Sequence, residues 1–508
     1  MVSSTRPDLL LINPPSRKQV YQSLAEDFSA IEPPVWAGLM ASYSRHEGLR
    51  VELLDAEAMQ WSIAETAREA AALRPRLVVM VVYGQQPSAS TQVMPAAGAL
   101  CREIKSLDPT LPILMVGGHV AALPARTLRE EAADFTCGGE GLTTMVALAR
   151  MLKQHGTDWA GVPDLYHRVE GKVAEPRVHA PLTIDLDTCM PGLAWDLIPV
   201  PRYRAHNWHC LGSSDASGRL ERSPYASIYT SLGCPFHCHF CCIQAPFRSG
   251  ESASGMASGR NSYRMWGAKR VVDDCEMLAS RYGVKHIKFA DELFLLNRSH
   301  VEGICDEIIR RGLELNIWAY ARVDTVDARL LDKLKRAGIN WLALGIESGA
   351  ERVRDDVHKG FKEDQLFLTM SSIKQAGIAV IGNYIFGLPE DDLASMQATL
   401  DLALELKCEF ANFYSAMAYP GSKLFDMAME QGLQLPESWS GYSQHAFDTL
   451  PLPTRHLSGP EVLRFRDGAF QTYFSHPDVL SSIRTLFGPG AETHIRHMVA
   501  QPLPRKFT

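Results

Sequence analysis

Short apolar runs alternate with amphipathic stretches along the first 155 residues. The runs predict five buried strands, and the stretches between them predict helices. In the last stretch Leu142, Met145, Val146, Ala149 and Leu152 recur at helical spacing and mark one buried face. Buried strands that alternate with helices indicate a parallel sheet covered on both faces, which is a doubly wound domain. The predicted strands are Leu9–Ile12, Val51–Leu54, Leu77–Val82, Ile113–Val116 and Asp134–Cys137.

A second series of strands and helices follows residue 222. Its six units suit an open, partial (β/α) barrel, because an eight-unit barrel would need two more. We therefore predict an α/β protein with a doubly wound domain at 1–155, a connector at 156–222, a partial barrel at 223–420 and a mostly helical region at 421–508. The predicted barrel strands are Ala226–Ser231, Lys285–Ala290, Leu315–Arg322, Trp341–Ile346, Ala379–Phe386 and Phe410–Ala416.

The composition of the chain narrows its class. Of 508 residues, 46% are apolar and 21% are charged, which is typical of a soluble globular protein. A net charge of −7 with 51 basic and 58 acidic residues leaves no basic stripe, so we expect no nucleic-acid partner. No apolar run approaches the roughly 18 residues of a membrane span, so we expect no membrane partner. Eleven cysteines fit a reducing compartment, and we expect a cytoplasmic protein.

Three cysteines carry the strongest chemical signal. Cys234, Cys238 and Cys241 stand in the stretch TSLGCPFHCHFC. Thiolates at this spacing can hold a [4Fe–4S] cluster and leave one iron without a protein ligand. That iron can chelate an amine and a carboxylate of a small molecule. The alternative is a zinc site, but zinc usually takes four ligands in paired spacing and no second pair lies nearby. We interpret the adjacent Cys242 as a bystander.

The cysteine stretch resembles the signature of the radical S-adenosylmethionine (radical SAM) superfamily, CxxxCxxC with an aromatic residue before the last cysteine. Further matches follow the later predicted strands, where barrel active sites form. Carboxylates there suit the ammonium of SAM, and an arginine fork suits its carboxylate. The alternatives are a solvated strand end for the carboxylates and a salt bridge from Arg322 to Asp324 or Asp327. The resemblance implies SAM contacts from Phe240, Asp291, Glu292, Arg322, Gly345, Glu347, Ser348 and Gly387.

The first domain resembles the cobalamin-binding domain found ahead of many radical SAM barrels. The matching pieces follow predicted strands one, three, four and five, where doubly wound sheets bind ligands. The DxHxxG motif that donates a histidine to cobalt is absent, so axial ligation by His119 is not expected. The alternative is a nucleotide-binding or structural domain, although no GxGxxG turn follows the first strand. The implied cobalamin contacts are Asn13, Pro14, Tyr83, Gln85, Ser88, Ser90, Thr91, Gly117, Gly118, His119, Gly139, Glu140 and Gly141.

These resemblances imply a cobalamin-dependent radical SAM enzyme with a [4Fe–4S] cluster, SAM and cobalamin as cofactors. The implied activity is a methyltransferase that places a methyl group from SAM, via methylcobalamin, on an unactivated carbon or phosphorus of a small molecule. An external electron donor such as flavodoxin or ferredoxin is the implied partner. Two alternatives remain open: a cyclase or rearrangement enzyme without methyl transfer, and a non-catalytic cobalamin or iron–sulfur sensor. We expect no acid–base catalytic residue, because the cofactors carry the difficult chemistry.

Overall fold

The N-terminal domain contains a seven-stranded sheet in the order β2-β1-β3-β4-β5-β6-β7. The computed structural model describes residues 6–213 and 220–507. The first five strands are parallel to their neighbours and the last two are antiparallel, so the predicted doubly wound domain is confirmed. The strands are β1 (Leu9–Asn13), β2 (Val51–Asp55), β3 (Leu77–Val81), β4 (Ile113–Val116), β5 (Phe135–Cys137), β6 (Leu165–Val169) and β7 (Lys172–Ala174).

Both faces of this sheet are buried. Leu9 and Leu11 of β1 belong to one hydrophobic core, and Leu10 and Ile12 belong to another, because successive side chains of a strand point to opposite faces. Helices cover each face. They are α1 (Arg17–Tyr21), α2 (Leu24–Asp27), α3 (Val35–His46), α4 (Ala56–Met59), α5 (Ile63–Leu73), α6 (Ala89–Leu107), α7 (Gly118–Ala122), α8 (Pro124–Glu130) and α9 (Leu142–Lys153).

The sheet continues into the segment that the sequence predicts as a connector. Strands β6 and β7 form a hairpin, and β6 pairs antiparallel with β5, with Phe135 opposite His167. The rest of the segment is irregular, with one short helix, α10 (Leu186–Cys189), and several single turns. The connector therefore packs on the first domain through its hairpin. The boundaries of the domains stay a prediction.

The second domain is a six-stranded parallel sheet in the order β15-β14-β13-β12-β11-β8. Its edge strands, β8 and β15, are the first and last in the chain, and they do not pair with each other. The predicted open, partial barrel is therefore confirmed. Its strands are β8 (Tyr225–Ile228), β11 (His286–Phe289), β12 (Asn316–Arg322), β13 (Ile339–Glu347), β14 (Ala379–Phe386) and β15 (Phe410–Ser415), with a separate short pair β9 (Ser231–Leu232) and β10 (Arg264–Met265).

Helices cover the outside of the barrel and form the C-terminal region. Helix α19 (Gly459–Ser475) packs on β15 and carries side chains to the inner surface of the barrel. The sequence predicts helices at Pro460–Phe474 and Ala491–Ala500, within one or two residues of the ends of α19 and α21 (Pro489–Val499), but it does not predict α20 (Pro477–Phe487). The helices are α11 (Arg248–Ala253), α12 (Ala268–Tyr282), α13 (Arg298–Arg311), α14 (Leu331–Arg336), α15 (Glu351–Asp356), α16 (Glu363–Gln375), α17 (Leu393–Leu406), α18 (Lys423–Glu430), α19 (Gly459–Ser475), α20 (Pro477–Phe487) and α21 (Pro489–Val499).

The first barrel strand is shorter than predicted. It ends at Ile228, whereas the sequence predicts a strand to Ser231. The reason is a competing set of hydrogen bonds: Thr230 and Ser231 donate to the carboxylate of Asp291. Ser231 then pairs antiparallel with Met265 in the short β9–β10 ladder. The chain turns away from the barrel at the point where the cysteine loop begins.

No helix in the described ranges, 6–213 and 220–507, is both long enough and apolar enough to cross a membrane.

A substitution at Gly117 tests how closely the backbone packs at the edge of the first sheet. This glycine follows β4 with a φ of +153°, and a Cβ there would overlap the carbonyl group of Val82. We expect Gly117→Ala to lower the free energy of unfolding by at least about 2 kcal/mol, because backbone must move. Thermal unfolding of the cofactor-free protein measures this. Gly118→Ala is the matched control, because its Cβ would lie 3.6 Å from Ser90, an ordinary contact. Equal melting temperatures for the two variants would contradict the prediction.

Candidate active site

The three cysteines lie on a loop that the surrounding backbone holds in place. Asn261 Nδ2 donates to the carbonyl oxygens of Cys234 and Phe236, at 3.0 and 2.8 Å. The backbone N–H of Cys241 donates to the carbonyl of Cys238 at 3.0 Å. The loop follows β9, beside the carboxyl ends of the barrel strands. Its backbone is therefore ordered by the chain itself.

The thiols of this loop fit an iron–sulfur cluster. All three are free and only partly buried. Burial raises the pKa of Cys234 to about 11 and raises the pKa of Cys241 well above its usual range, so cluster binding must release their protons. Among the described residues, no three His, Cys, Asp or Glu side chains gather around a single metal ion. A cubane instead binds each thiolate through a different iron, and the donor set suits it.

Arg322 lies directly beside the cysteine loop. Its Nη1 donates to Cys238 Sγ at 3.5 Å, and its guanidinium covers the ring of Phe236 at 4.0 Å. Its Nε and Nη2 donate to the two carboxylate oxygens of Asp324 at 2.9 and 3.0 Å. One of the ion pairs that the sequence left as an alternative is therefore present. Of the guanidinium nitrogens of Arg322, Nη1 therefore faces the cysteine loop, and the other two are bound to Asp324.

A second cation, Lys359, is buried near the same cysteine. Its Nζ lies 2.9 Å from Glu347 Oε1, and both side chains are less than 10% exposed. Glu347 adopts a φ of +64° after a register shift in the β13–β14 ladder. A Cβ on Gly345 would lie 2.8 Å from Lys359 Nζ, so glycine leaves room for the ion pair. Strained backbone of this kind is concentrated at functional sites.

The structure distinguishes the roles of Asp291 and Glu292, two neighbouring carboxylates that the sequence alone does not tell apart. Asp291 accepts hydrogen bonds from Thr230 N, Thr230 Oγ1 and Ser231 Oγ, at 2.5 to 2.7 Å. Its oxygens are thus occupied in joining two segments of the chain. Glu292 Oε1 is buried and has no hydrogen-bond partner among the described residues. Burial raises the pKa of Glu292 to about 8. Of the two, Glu292 has the free acceptor that an ammonium group would satisfy.

The other implied SAM contacts have internal roles as well. Gly387, at φ +81°, and Leu388 both donate their backbone N–H groups to Asp391 Oδ2 at 3.0 Å. Ser348 is fully buried, with its Oγ 3.2 Å from Thr399 Oγ1. Phe240 packs between two hydrophobic clusters next to the barrel. These residues shape the edge of the barrel around the cysteine loop.

The facing edge of the first domain is rich in aromatic rings and amides. Tyr83 stacks on Trp36 with ring centroids 4.2 Å apart, and its hydroxyl donates to the carbonyl of Glu140 at 2.8 Å. Asn13 Nδ2 donates to Asp55 at 2.8 Å, and Gln85 Nε2 donates to the hydroxyl of Tyr21 at 3.0 Å. Amides of this kind match the amide groups on the rim of a corrin.

A buried ion pair of Glu140, next to these rings, ties the edge to the rest of the molecule. Glu140 is paired with Arg264 of the barrel at 2.7 Å. Pro14 lines a small cavity together with Asn13 and Gln85. The junction between the domains is therefore built partly from the residues that the resemblance assigns to cobalamin.

The hydroxyl groups near the start of α6 are already engaged. Ser90 Oγ donates to the carbonyl of Val82 and accepts from the backbone N–H of His119. Thr91 Oγ1 lies 3.2 Å from His119 Nδ1, and the histidine ring packs edge-on against Trp439 at 4.4 Å. Burial lowers the pKa of His119 to about 3, so the ring is neutral. These contacts account for His119 without cobalt.

The remaining implied cobalamin contacts are glycines and a serine at the same edge. A Cβ would fit beside Gly118 but would crowd Asp164 and Ser249 at Gly139, and Gly141 has a φ of +95°. Ser88 is the N-cap residue of α6. The backbone can therefore approach a flat ligand closely here.

Two small cavities mark this edge, of about 60 and 20 Å³. The smaller is lined from both domains, by Trp36, Tyr83 and Gly118 on one side and by Tyr229 and Cys242 on the other. The amides and glycines suit cobalamin in kind. Both cavities are much smaller than a corrin, so they mark the position of this edge and not the full volume of a ligand.

Comparisons with known proteins agree with this arrangement. The model of the radical SAM superfamily matches residues 228–403, and that of the B12 binding domain matches residues 22–149. An uncharacterised methyltransferase of Pyrococcus horikoshii is 26% identical over 475 residues, 93% of each chain. The anaerobic magnesium-protoporphyrin IX monomethyl ester cyclase of Rubrivivax gelatinosus is 24% identical over 412 residues, 80% of this chain and 68% of the cyclase.

The fold also has a close match among solved structures. The radical S-adenosylmethionine methyltransferase TsrM of Kitasatospora setae, solved with cobalamin and a [4Fe–4S] cluster, superposes with a TM-score of 0.66. The match covers 97% of this chain and 99% of TsrM at 18% identity, so it shows the fold. Fold and site together define an enzyme in which a doubly wound domain faces a partial barrel across a cysteine loop. The chain belongs to the radical SAM superfamily, and it carries a B12 binding domain ahead of the barrel.

Three residues at the site carry no recognisable sequence signal. Trp36 lies inside an ordinary amphipathic helix, Lys359 follows α15 in a short loop, and Trp439 comes from a single turn in the C-terminal region. Each reaches the site through the tertiary fold. Of the three, only Lys359 lies within a range that a motif search would inspect, twelve positions after Glu347.

The unpartnered Glu292 predicts a pH-dependent change in stability. Its pKa is raised, so the folded protein holds this proton more tightly than the unfolded chain does, and stability is lost as the pH rises toward 8. Glu292→Gln has no carboxyl group to ionise at this position, so the variant should not lose this stability as the pH rises. We expect the variant to be more stable than the wild type at pH 8, on the order of 1 to 3 kcal/mol, and equal to it near pH 4.5.

Thermal unfolding of the cofactor-free protein at pH 5, 6.5 and 8 measures this effect. Glu314→Gln is the control, because Glu314 is an exposed carboxylate just before β12. A stability difference between Glu292→Gln and wild type that does not grow with pH would show that the carboxylate finds a partner that we have not identified.

Proposed function

We propose that this protein is a cobalamin-dependent radical SAM methyltransferase that acts on a small molecule. One observation carries the proposal: residues from the edge of the B12 binding domain and from the segment after the cysteine loop line the same cavity. A cluster on that loop and a corrin on that edge would then lie at the same junction. Transfer between two cofactors requires such proximity.

The chain's own residues supply binding and orientation for SAM. Glu292 offers a carboxylate acceptor for the ammonium of SAM, and bound SAM would keep it ionised. Arg322 and Lys359 place two cations beside Cys238, on the side where the SAM carboxylate would approach. When bound, the cluster supplies an electron for SAM cleavage and cobalamin supplies a carrier for a methyl group.

The proposed reaction needs no acid–base residue, because the cofactors carry the difficult chemistry. The buried carboxylates near the site are occupied or face the SAM position, as Asp291 and Glu292 do. The rings of Trp36, Tyr83 and Tyr229 pack against one another at the junction and would limit the access of water to bound cofactors. Radical chemistry requires such exclusion, because reactive intermediates are otherwise lost to solvent.

A second candidate is a cyclase or rearrangement enzyme that uses the same cofactors. The similarity to the Rubrivivax gelatinosus cyclase over 80% of this chain favours it. Its closing step would use the same cluster loop and the same SAM contacts. The two candidates therefore differ in the fate of the methyl group.

We place the protein in the cytoplasm, supplied by an external electron donor such as flavodoxin or ferredoxin. All eleven cysteines are free, as a reducing compartment maintains them. The electron must come from outside, since a single cluster stores too little for repeated SAM cleavage.

SAM carrying a deuterated methyl group distinguishes the two candidates. The reconstituted protein would be incubated anaerobically with reductant and a panel of small-molecule substrates, and analysed by mass spectrometry. A methyltransferase yields S-adenosylhomocysteine and a product that carries the deuterated methyl group. Deoxyadenosine without S-adenosylhomocysteine, and an unlabelled product, would replace the proposal with the cyclase candidate.

Cys238 and Cys242 provide a matched pair of variants. We expect Cys238→Ala to abolish deoxyadenosine formation, because the cluster loses one of three ligands, while cobalamin stays bound. Cys242→Ala should keep both deoxyadenosine formation and bound cobalamin, because Cys242 lines the cavity at the domain junction and is not a cluster ligand. Iron content, cobalamin absorbance and deoxyadenosine are the measurements. Loss of the cluster in Cys242→Ala with retention in Cys238→Ala would reverse the ligand assignment.

A further inference from the structure

A larger cavity of about 560 Å³ lies inside the barrel, apart from the cysteine loop. Ligand pockets usually measure about 300–1,000 Å³, so this one can hold a molecule of moderate size. Its wall combines barrel strands, the first domain and the C-terminal helix α19, through residues such as Lys288, Glu32 and Arg466. Among the implied SAM and cobalamin contacts, only Gln85 lines this cavity. Gln85 also lines the cavity of about 60 Å³ at the cobalamin edge, so the two spaces adjoin.

The cavity also adjoins the SAM site. Tyr320 and Tyr414 stand in its wall. Tyr320 precedes Arg322 by two residues on β12, and alternate side chains of a strand point to the same face, so Tyr320 and Arg322 share one face of the barrel sheet. A molecule in the cavity would be next to the reacting groups.

Aromatic side chains dominate the wall of the cavity. Trp208 and Trp318 meet edge to face with ring centroids 5.0 Å apart, and Trp318 meets Tyr320 in the same way at 4.9 Å. Phe28 and Phe413 line other parts of the wall. Ring faces at several angles suit a flat ligand that can stack on one ring and meet the edges of others.

The charges at the cavity do not cancel. Lys288 Nζ is paired with Glu32 at 3.0 Å, and His206 Nε2 lies 2.9 Å from the same carboxylate. Asp467 is shared by two guanidinium groups, those of Arg466 at 2.7 Å and Arg505 at 2.9 Å. Of these charged groups, Lys288, Glu32, Arg466 and Asp467 line the cavity. Arg505 lies behind the wall, where it shares Asp467 with Arg466, so this one carboxylate is paired with two cations and leaves a local excess of one positive charge beside Arg466. A buried excess charge is costly unless a ligand compensates it.

Arg466 is the cation that has a hydrogen-bond donor available for a ligand. Its side chain is 7% exposed and lines the cavity. Its Nε donates to the carbonyl of Phe413 at 2.7 Å and its Nη1 to Asp467, whereas its Nη2 has no hydrogen-bond partner among the described residues. Beside it, His445 Nδ1 is buried and also without a partner in the described part of the chain. Burial, with Arg466 and Arg505 nearby, lowers the pKa of His445 far below its usual range, so the ring stays neutral.

We infer that this cavity binds a planar aromatic molecule that carries one anionic group, held by Arg466, and that this molecule is the substrate. The last clause rests on the proposed methyltransferase function, whereas the binding itself does not. The aromatic walls hold the flat body next to the SAM site, and the excess positive charge selects the anion. A carboxylate and a phosphate share this chemistry.

Binding of simple probes to the full-length, cofactor-free protein tests the inference. Equilibrium dialysis would compare naphthalene-2-carboxylate and 2-naphthyl phosphate with the neutral naphthalene-2-carboxamide and with the saturated decahydronaphthalene-2-carboxylate. We expect the better aromatic anion to bind at least about tenfold more tightly than the amide and the saturated acid, because hydrogen bonds to charged groups are strong. The tighter of the two anions identifies the anionic group.

Two variants of α19 localise the effect. Arg466→Gln should reduce the affinity for the aromatic anion to that of the amide and leave the affinity for the amide unchanged, and Arg466→Lys should recover part of the loss. Arg464→Gln is the control, because Arg464 is exposed on the same helix. Circular dichroism would establish that each variant is folded.

Each outcome decides the inference. An aromatic anion that binds no better than the amide overturns it, whether or not the variants fold. Equal losses for anion and amide in Arg466→Gln, with the protein folded, would also overturn it. Because these measurements need no SAM, cluster or cobalamin, they stand apart from the labelled-SAM experiment. A methyltransferase without anion selectivity would disprove only the cavity assignment, and anion selectivity without methyl transfer would disprove only the function.

Discussion

A buried ion pair between the two domains sets the geometry on which everything else depends. Lys288 of β11 and Glu32 of the loop before α3 are 2% and 6% exposed, and Lys288 also donates to the carbonyl of Gln85 at 3.0 Å. His206 of the connector reaches the same carboxylate, so all three parts of the chain meet at one point. Removal of one partner from such a pair is strongly destabilising, because it leaves an uncompensated buried charge. The pair therefore keeps the strand ends of the first domain facing the barrel.

The same junction explains why neighbouring residues have different roles. Asp291 and Glu292 are adjacent, but one carboxylate accepts three hydrogen bonds and the other has a buried oxygen with no partner in the described part of the chain. The first stabilises the turn that starts the cysteine loop. The second costs stability in the absence of a ligand and has an acceptor for one. Chemical type alone would not assign these roles, whereas the partners do.

The elements that were predictable from sequence depend on local patterns. Leu9 to Ile12 alternate between two cores, and any strand so covered must be apolar throughout, so the buried strands were visible as continuous runs. The cysteine spacing is also a local pattern, because three positions on one loop are enough to indicate the ligands of a cluster. The strand that was predicted to reach Ser231 ended early because Asp291, some sixty residues away, competes for its hydrogen bonds.

What the sequence could not predict is set by contacts between distant parts of the chain. Lys359 pairs with Glu347 across a loop, and Trp439 covers His119 from the C-terminal region. Ser90 and Thr91 looked like free hydroxyl donors for a cofactor, but both bond to their own domain. Such pairings depend on the packed structure, and no periodicity or spacing in the chain records them.

Glu292 and Arg466 illustrate how this fold combines stability with binding. Arg466 lies in the wall of the large cavity and Glu292 is buried at the end of β11, and each keeps one polar group free among the described residues. One is an acceptor next to the cysteine loop, and the other is a donor in the aromatic cavity. A buried polar group without a hydrogen-bond partner costs free energy, and a ligand that bonds to it removes that cost. The same contact therefore gives both affinity and orientation. Since the cofactors supply the reactivity, the protein contributes this placement of complementary charged and polar groups around the ligands.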